Sequence, residues 1–300
     1  MTAGGGTTAV VWFRRDLRLH DLPALDHALT VADRVLPLFV VDPAIIGGRW
    51  RSPNRLWHLA RCLERLDESL RARGAALVTV AGRPEEEVPR VARLVGANVV
   101  TASRDRTPYG RARDDAVRRA LLANAIELRT GRGLLVHEPE EVERGAGGWF
   151  RVFSPFHRAW EARDRRPVLG APDEVPMATV RVPGTLDIDA ALGHPQPTAD
   201  QGLLLEPGEP AARQRLTGWA ASDRLPRYAT DRDRLDLDGT SRLSQDLRWG
   251  TLSAVEVLQL CDGSGPGPAR YRAEIAWRDF YAHLLWHDPV SYTHLTLPTN

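Results

Sequence analysis

Between residues 9 and 129 the chain alternates five short apolar runs with amphipathic stretches, and few folds accept that rhythm. The runs are 9–13, 34–41, 76–80, 97–101 and 126–129. They are largely continuous rather than alternating, as suits strands buried on both faces of a parallel sheet. The stretches between them carry helical spacing. Leu22, Leu25 and Leu29 mark the first, and Leu56, Leu59, Leu63, Leu66 and Leu70 mark residues 54–73. Residues 85–94 and 109–125 supply two more helices, Pro23 suits a first turn and Gly74 ends a helix. The pattern predicts an α/β doubly wound parallel sheet over residues 8–135.

Such sheets bind ligands at the carboxyl ends of their strands. No G-x-G-x-x-G follows the first run and no P-loop occurs, so a standard NAD or ATP domain is not expected. Instead the run opens into Arg14-Arg15-Asp16-Leu17-Arg18-Leu19-His20-Asp21. A ligand could bind there, but charge at this density reads as a solvated, salt-bridged loop.

At 300 residues and 43% apolar content the chain can build two domains with their own cores. Its net charge of +1 means that any nucleic-acid contact must rest on a local patch. All 40 basic residues are arginine, which suggests GC-rich coding DNA. Cys62 and Cys261 are far apart and form no metal or redox spacing, which fits a reducing compartment. With no secretory signal and no membrane-spanning apolar segment, a soluble cytoplasmic protein is expected, monomeric and without a metal.

Residues 150–160 are rich in aromatics and read as a connector that packs one domain on the other. Residues 161–209 turn Pro-, Gly- and Asp-rich, which reads as an interdomain linker. Beyond it 210–220, 245–260 and 268–287 have helical character, so the second domain is expected to be all-α. On its last helix Glu274, Trp277, Arg278, Tyr281 and Leu285 share one face. Aromatics at that spacing usually form a core stripe, and Glu274 could pair with Arg278. A buried carboxylate and guanidinium need partners, however. The other reading is a concave site in which Trp277 stacks on a base. Upstream, Asp238-Gly239-Thr240-Ser241-Arg242-Leu243-Ser244 reads as a helix start, either an ordinary N-cap or a set of free N–H groups able to hold a phosphate.

Three stretches together resemble the photolyase/cryptochrome family of flavin-dependent, light-driven DNA repair enzymes and photoreceptors, in particular its class I cyclobutane pyrimidine dimer photolyases. They are Val11-Trp12-Phe13-Arg14-Arg15-Asp16-Leu17-Arg18, the aromatic connector 150–160, and Tyr228-x3-Arg232-x7-Thr240-Ser241-Arg242-Leu243-Ser244 followed by Glu274-x2-Trp277-Arg278-Asp279-Phe280-Tyr281. The resemblance implies an antenna-binding α/β domain over 8–135, a connector over 136–205 and an all-α FAD-binding domain over 206–289. It implies that Tyr228, Thr240, Ser241, Arg242, Leu243, Ser244, Tyr271 and Arg278 hold FAD. Arg232, Glu274, Trp277 and Tyr281 would then meet DNA that contains a pyrimidine dimer, with Glu274 and Trp277 as the catalytic pair. A second chromophore, a folate or a deazaflavin, is implied near Arg104-Asp105-Arg106-x-Pro108-Tyr109-Gly110-Arg111. The activity implied is electron transfer from reduced FAD to the dimer, which splits it. A cryptochrome-type photoreceptor without repair, or a chromophore-binding α/β module alone, are the alternatives.

Family members continue with further helices, which carry an asparagine and aspartates near the flavin ring and tryptophans that relay electrons to it. Residues 290–300 contain no Arg, Asp, Glu, Ala or Gly, unlike the rest of the chain. The expectation is therefore a C-terminally truncated member with an anomalous tail, inactive as it stands.

Overall fold

The computed structural model describes residues 6–48, 51–144, 147–200 and 204–289, so the tail 290–300 lies outside the described residues. The apolar runs form β1 (Thr8–Phe13), β2 (Arg34–Val41), β3 (Val78–Ala81), β4 (Val99–Ser103) and β5 (Glu127–Gly131). All neighbours pair in parallel, in the order β3-β2-β1-β4-β5. Trp12 stands opposite Leu38, and Val10 opposite Val100. Five helices connect the strands, α1 (Pro23–Val31), α2 (Pro43–Ile46), α3 (Pro53–Arg71), α4 (Pro84–Leu94) and α5 (Pro108–Leu122). Each begins at a proline, whose missing N–H is not needed in a first turn.

The two-residue period of β1 divides it between two cores. Ala9, Val11 and Phe13 pack with Leu25 of α1 and Leu59 and Leu63 of α3. Val10 and Trp12 pack with Val88 and Val91 of α4 and Val117 and Leu121 of α5. Helices therefore cover both faces, as the expected doubly wound sheet requires. The strand order reverses between β1 and β4, which opens a crevice at their carboxyl ends.

The expectation of a solvated loop at 14–21 is overturned. Asp16, Arg18 and Asp21 are at most 1% exposed. Arg18 donates to the carbonyls of His20 (3.1 Å), Asp21 (2.8 Å), Gly133 (2.8 Å) and Gly250 (3.0 Å). A guanidinium fork can satisfy loop carbonyls that no ladder reaches, which is why this charge is tolerated inside. Asp21 is in turn paired with Arg166 and accepts the Leu169 N–H at 3.0 Å.

After β5 the chain enters a third core. Val136 and Val142, then Phe156 and Trp160 of α6 (Phe153–Glu161), pack with the helical unit. The polar stretch that follows runs back along the α/β unit rather than hanging free. Val35 N–H donates to Pro176 O at 2.7 Å, Ala178 N–H to Val35 O at 3.1 Å and Leu186 N–H to Thr79 O at 2.8 Å. Val175 and Val182 are buried there, and α7 (Ile188–Ala191) packs near α3.

The helical unit comprises α8 (Glu209–Ala220), α9 (Arg224–Asp231), α10 (Ser244–Trp249), α11 (Ala254–Leu260) and α12 (Pro266–His287). The single helix expected over 245–260 is broken. Gly250 turns left-handed at φ 69°, and Ser253 starts α11 by accepting the Val255 N–H at 3.1 Å. Helix α9, which the spacing did not predict, packs along α12. Trp219 and Tyr271 close the middle of this core, both at most 4% exposed.

Candidate functional site

The loop 238–244 is held between α9 and α12. A Cβ on Gly239 would lie 2.6 Å from the carbonyl of Asp231, so only glycine lets the loop approach the end of α9 this closely. Arg242 takes a left-handed φ of 55° and pairs with Asp238 at 2.9 Å, while Arg224 holds the same carboxylate at 2.7 Å. The Tyr271 hydroxyl donates to Ser241 Oγ at 2.9 Å. Tyr228 meets Tyr271 edge-on, with centroids 5.1 Å apart at 85°, and Leu243 is buried in the same core. Burial raises the pKa of both phenols above the usual tyrosine range.

Thr240 and Ser244 lie open on this loop. The expected hydroxyl N-cap is not formed. Helix α10 begins at Ser244, its capping position is Leu243, and no side chain caps it. The first i to i−4 bond runs from Leu247 N–H to Leu243 O at 3.0 Å, so the amides ahead of it have no acceptor within the helix. Hydroxyls and first-turn amides together make the donor set that a pyrophosphate requires. These residues fit the phosphate part of FAD. The cations are committed elsewhere: Arg242 to Asp238, and Arg278 to the carbonyls of Leu134 and Leu247.

The α12 stripe is not a core stripe. Glu274, Trp277, Arg278 and Leu285 are half-buried and Tyr281 is 58% exposed, whereas Ile275, Ala276, Asp279, Phe280 and His283 face inward. Glu274 is ion-paired with Arg232 and lies 3.2 Å from Arg270. It does not pair with Arg278. Trp277 stacks on Phe153 and touches Tyr281 at 5.6 Å. The structure therefore brings together Arg232, Glu274, Trp277 and Tyr281, and separately Tyr228, Ser241, Leu243 and Tyr271. Arg278 leaves the stripe to reach the loop after β5.

Phe153 was not singled out from the sequence. Its place within the aromatic run 150–160 was the available signal. Asp279 on the buried face was also missed. It accepts the N–H groups of Val136 and His137 and the indole N–H of Trp160, each at 3.0 Å. Burial pushes its carboxyl up to about 6, with Arg278 opposing.

At the carboxyl ends of β1 and β2 lies a cavity of about 420 Å³, a size suited to a small aromatic ligand. Its lining includes Phe13, Phe39, Ile46, Leu56 and Tyr109, and Arg248 and Trp249 close it from the helical unit. Asp105, Thr107 and Tyr109 of the stretch 104–111 line it. Tyr109 donates to Asp42, Arg14 is paired with Asp114, and Arg113 lies 3.0 Å from Asp114 and 3.5 Å from Asp105. Burial works to raise the Asp105 carboxyl, but Arg15 and Arg113 outweigh it and hold the group low. Arg15 is less well matched. Among the described residues its nearest carboxylate oxygen is 3.9 Å away and its Nε has no hydrogen-bond partner, and burial with Arg248 nearby pulls it down to about 10. The cavity thus offers an apolar slot with spare positive charge at one wall.

Among the described residues no helix is long and apolar enough to cross a membrane. Both cysteines are buried and free.

The DNA photolyase family model matches residues 9–177. A deoxyribodipyrimidine photo-lyase from Streptomyces griseus is 37% identical over 291 residues, covering 94% of this chain and 62% of that protein. A bacterial class III photolyase from Agrobacterium tumefaciens superposes with a TM-score of 0.86 at 29% identity, over 96% of this chain and 61% of the other. A cryptochrome from Synechocystis does so with a TM-score of 0.86 at 25% identity, over 96% and 62%. The chain therefore spans about three fifths of the length of the relatives it matches. From its sheet, its flanking helices and these likenesses, the chain belongs to the DNA photolyase family.

Proposed function

We propose that this chain carries the lesion-recognising and phosphate-holding part of a light-driven enzyme that splits cyclobutane pyrimidine dimers in DNA. The observation that carries this reading is the solvent-open Glu274/Trp277/Tyr281 face of α12, with Arg232 beside it. A dimer costs less to flip out of a duplex than an intact pair, because its stacking is already damaged. Trp277 receives the flipped bases by stacking, which commonly contributes about 1–3 kcal/mol per base. Glu274 hydrogen-bonds a base of the lesion, and Arg232, which Glu274 holds beside that face, reaches a DNA phosphate.

Reduced FAD, when bound and lit, supplies the electron that splits the dimer. Thr240, Ser241, Ser244 and the first amides of α10 would hold its phosphates, with Tyr228 and Tyr271 packed beside them. In the α/β unit the 420 Å³ cavity takes a second, light-gathering chromophore with an aromatic ring, a folate or a deazaflavin. Binding in the dark tests the reading: the chain should prefer a duplex that bears one pyrimidine dimer to its undamaged twin, and equal affinity for the two would overturn it.

A second reading is favoured by the likeness to a Synechocystis cryptochrome and by the well-formed α/β cavity. On it the scaffold binds chromophores and signals without repair. Flavin bands in the absorption spectrum with no light-dependent loss of dimers would select it. Chromophore binding at the cavity without flavin bands would leave only an α/β binding module.

A further inference from the structure

Trp277 does not stand free on the open side of α12. The ring of Phe153, the first residue of α6, lies 3.8 Å from it centroid to centroid, with 7° between the planes. His157, one turn further along α6, is near-parallel to Phe153 at 5.3 Å and 13°. Phe280, 4% exposed, meets both rings edge-on, at 5.5 Å from Trp277 and 5.7 Å from Phe153. One face of the indole is thus covered and its tilt is braced from below.

We infer that Phe153 is a positioning residue for lesion recognition: it seals one face of Trp277 and fixes the ring plane, so that a splayed base stacks only on the other face. The inference rests on the reading of Trp277 as the lesion platform. An unbraced indole at a solvent-open position would sample several rotamers and lose that freedom on binding. A ring fixed beforehand avoids this cost. Packing alone does not require this arrangement. Trp277 and Phe153 are both half-buried, at the edge of the helical core rather than within it. Phe153 belongs to α6 rather than α12, so the platform is assembled from segments more than a hundred residues apart.

The test measures binding in the dark to a duplex bearing one thymine dimer and to the same duplex undamaged, together with thermal stability. Phe153→Leu keeps an apolar side chain and removes the stacking ring. It should weaken dimer binding about two- to tenfold, the range expected for losing one aromatic pair, with undamaged binding unchanged. Phe153→Tyr should restore the preference, and it serves as the readout if the leucine variant folds poorly. Should Trp277→Ala abolish the preference while Phe153→Leu leaves it intact, Phe153 is only packing and the lesion reading stands. Equal losses on both duplexes with a lowered melting temperature would also overturn the positioning role. If Trp277→Ala leaves the preference unchanged, the lesion reading fails and this inference with it.

Discussion

Arg232 and Glu274 are ion-paired across the gap between the end of α9 and the middle of α12, at the edge of the open face. Both side chains remain partly open, so the pair contributes little to stability, below about 1 kcal/mol. Glu274→Ala should therefore fold normally, as chemical denaturation would show. It frees Arg232 for phosphate, so affinity for undamaged DNA should hold or rise. Preference for a dimer should fall about tenfold, in line with the roughly 1.5 kcal/mol of a hydrogen bond to a charged or polarised group. A variant that kept its preference would remove Glu274 from the lesion site.

Asp279 sits 1% exposed beneath that face and its carboxyl is pushed up to about 6 by burial. A carboxyl with a folded pKa above its unfolded value binds its proton more tightly when folded. Its favourable contribution is complete below about pH 4 and is lost as pH rises through 6. Asp279→Asn cannot titrate, so relative to wild type it should gain about 3 kcal/mol between pH 4 and pH 7. Urea midpoints across that range measure the difference.

His58, His137 and His283 behave in the opposite sense. Burial pulls each down to about 4, helped at His58 by Arg215, at His137 by Arg163 and at His283 by His287. Their contribution is complete above pH 6.5 and is lost as pH falls toward 4. His283→Gln should make the acid loss of stability shallower by one proton, about 1.4 kcal/mol per pH unit. An unchanged slope would contradict the burial of that ring.

Gly250→Ala should be among the most damaging single changes. The position has φ 69°, and a Cβ there would lie 1.9 Å from the carbonyl of Arg15. Backbone strain and the clash together should cost about 3 kcal/mol or more. The same carbonyl turn seats Arg18, so the two units should loosen together. Limited proteolysis between residues 161 and 209 would report it.

How much of this was legible depended on whether the signal was local. Continuous apolar runs such as 34–41 fix buried strands whatever surrounds them, and the sheet followed from them. The α12 face was legible only in part: its charged residues argued against a core stripe, but a Glu274–Arg278 pair would have allowed one, and only the structure shows Glu274 turned to Arg232. Arg18 was misread because a charge run looks the same in solvent as inside, and its carbonyl partners Gly133 and Gly250 lie over a hundred residues away. Gly250 broke a helix that periodicity alone would have continued. Leu243 rather than a hydroxyl precedes α10, because its side chain is held by the core beneath. Phe153 became part of the site only through a stack made in three dimensions.

The most direct measurement of the central claim is the affinity of the chain, in the dark, for a duplex carrying one thymine dimer against its undamaged twin, with Trp277→Ala in parallel. The account predicts a clear preference for the damaged duplex that disappears in the variant, while undamaged binding weakens with salt in both. Equal affinity of the unaltered chain for the two duplexes, or a preference that survives the loss of Trp277, would contradict it.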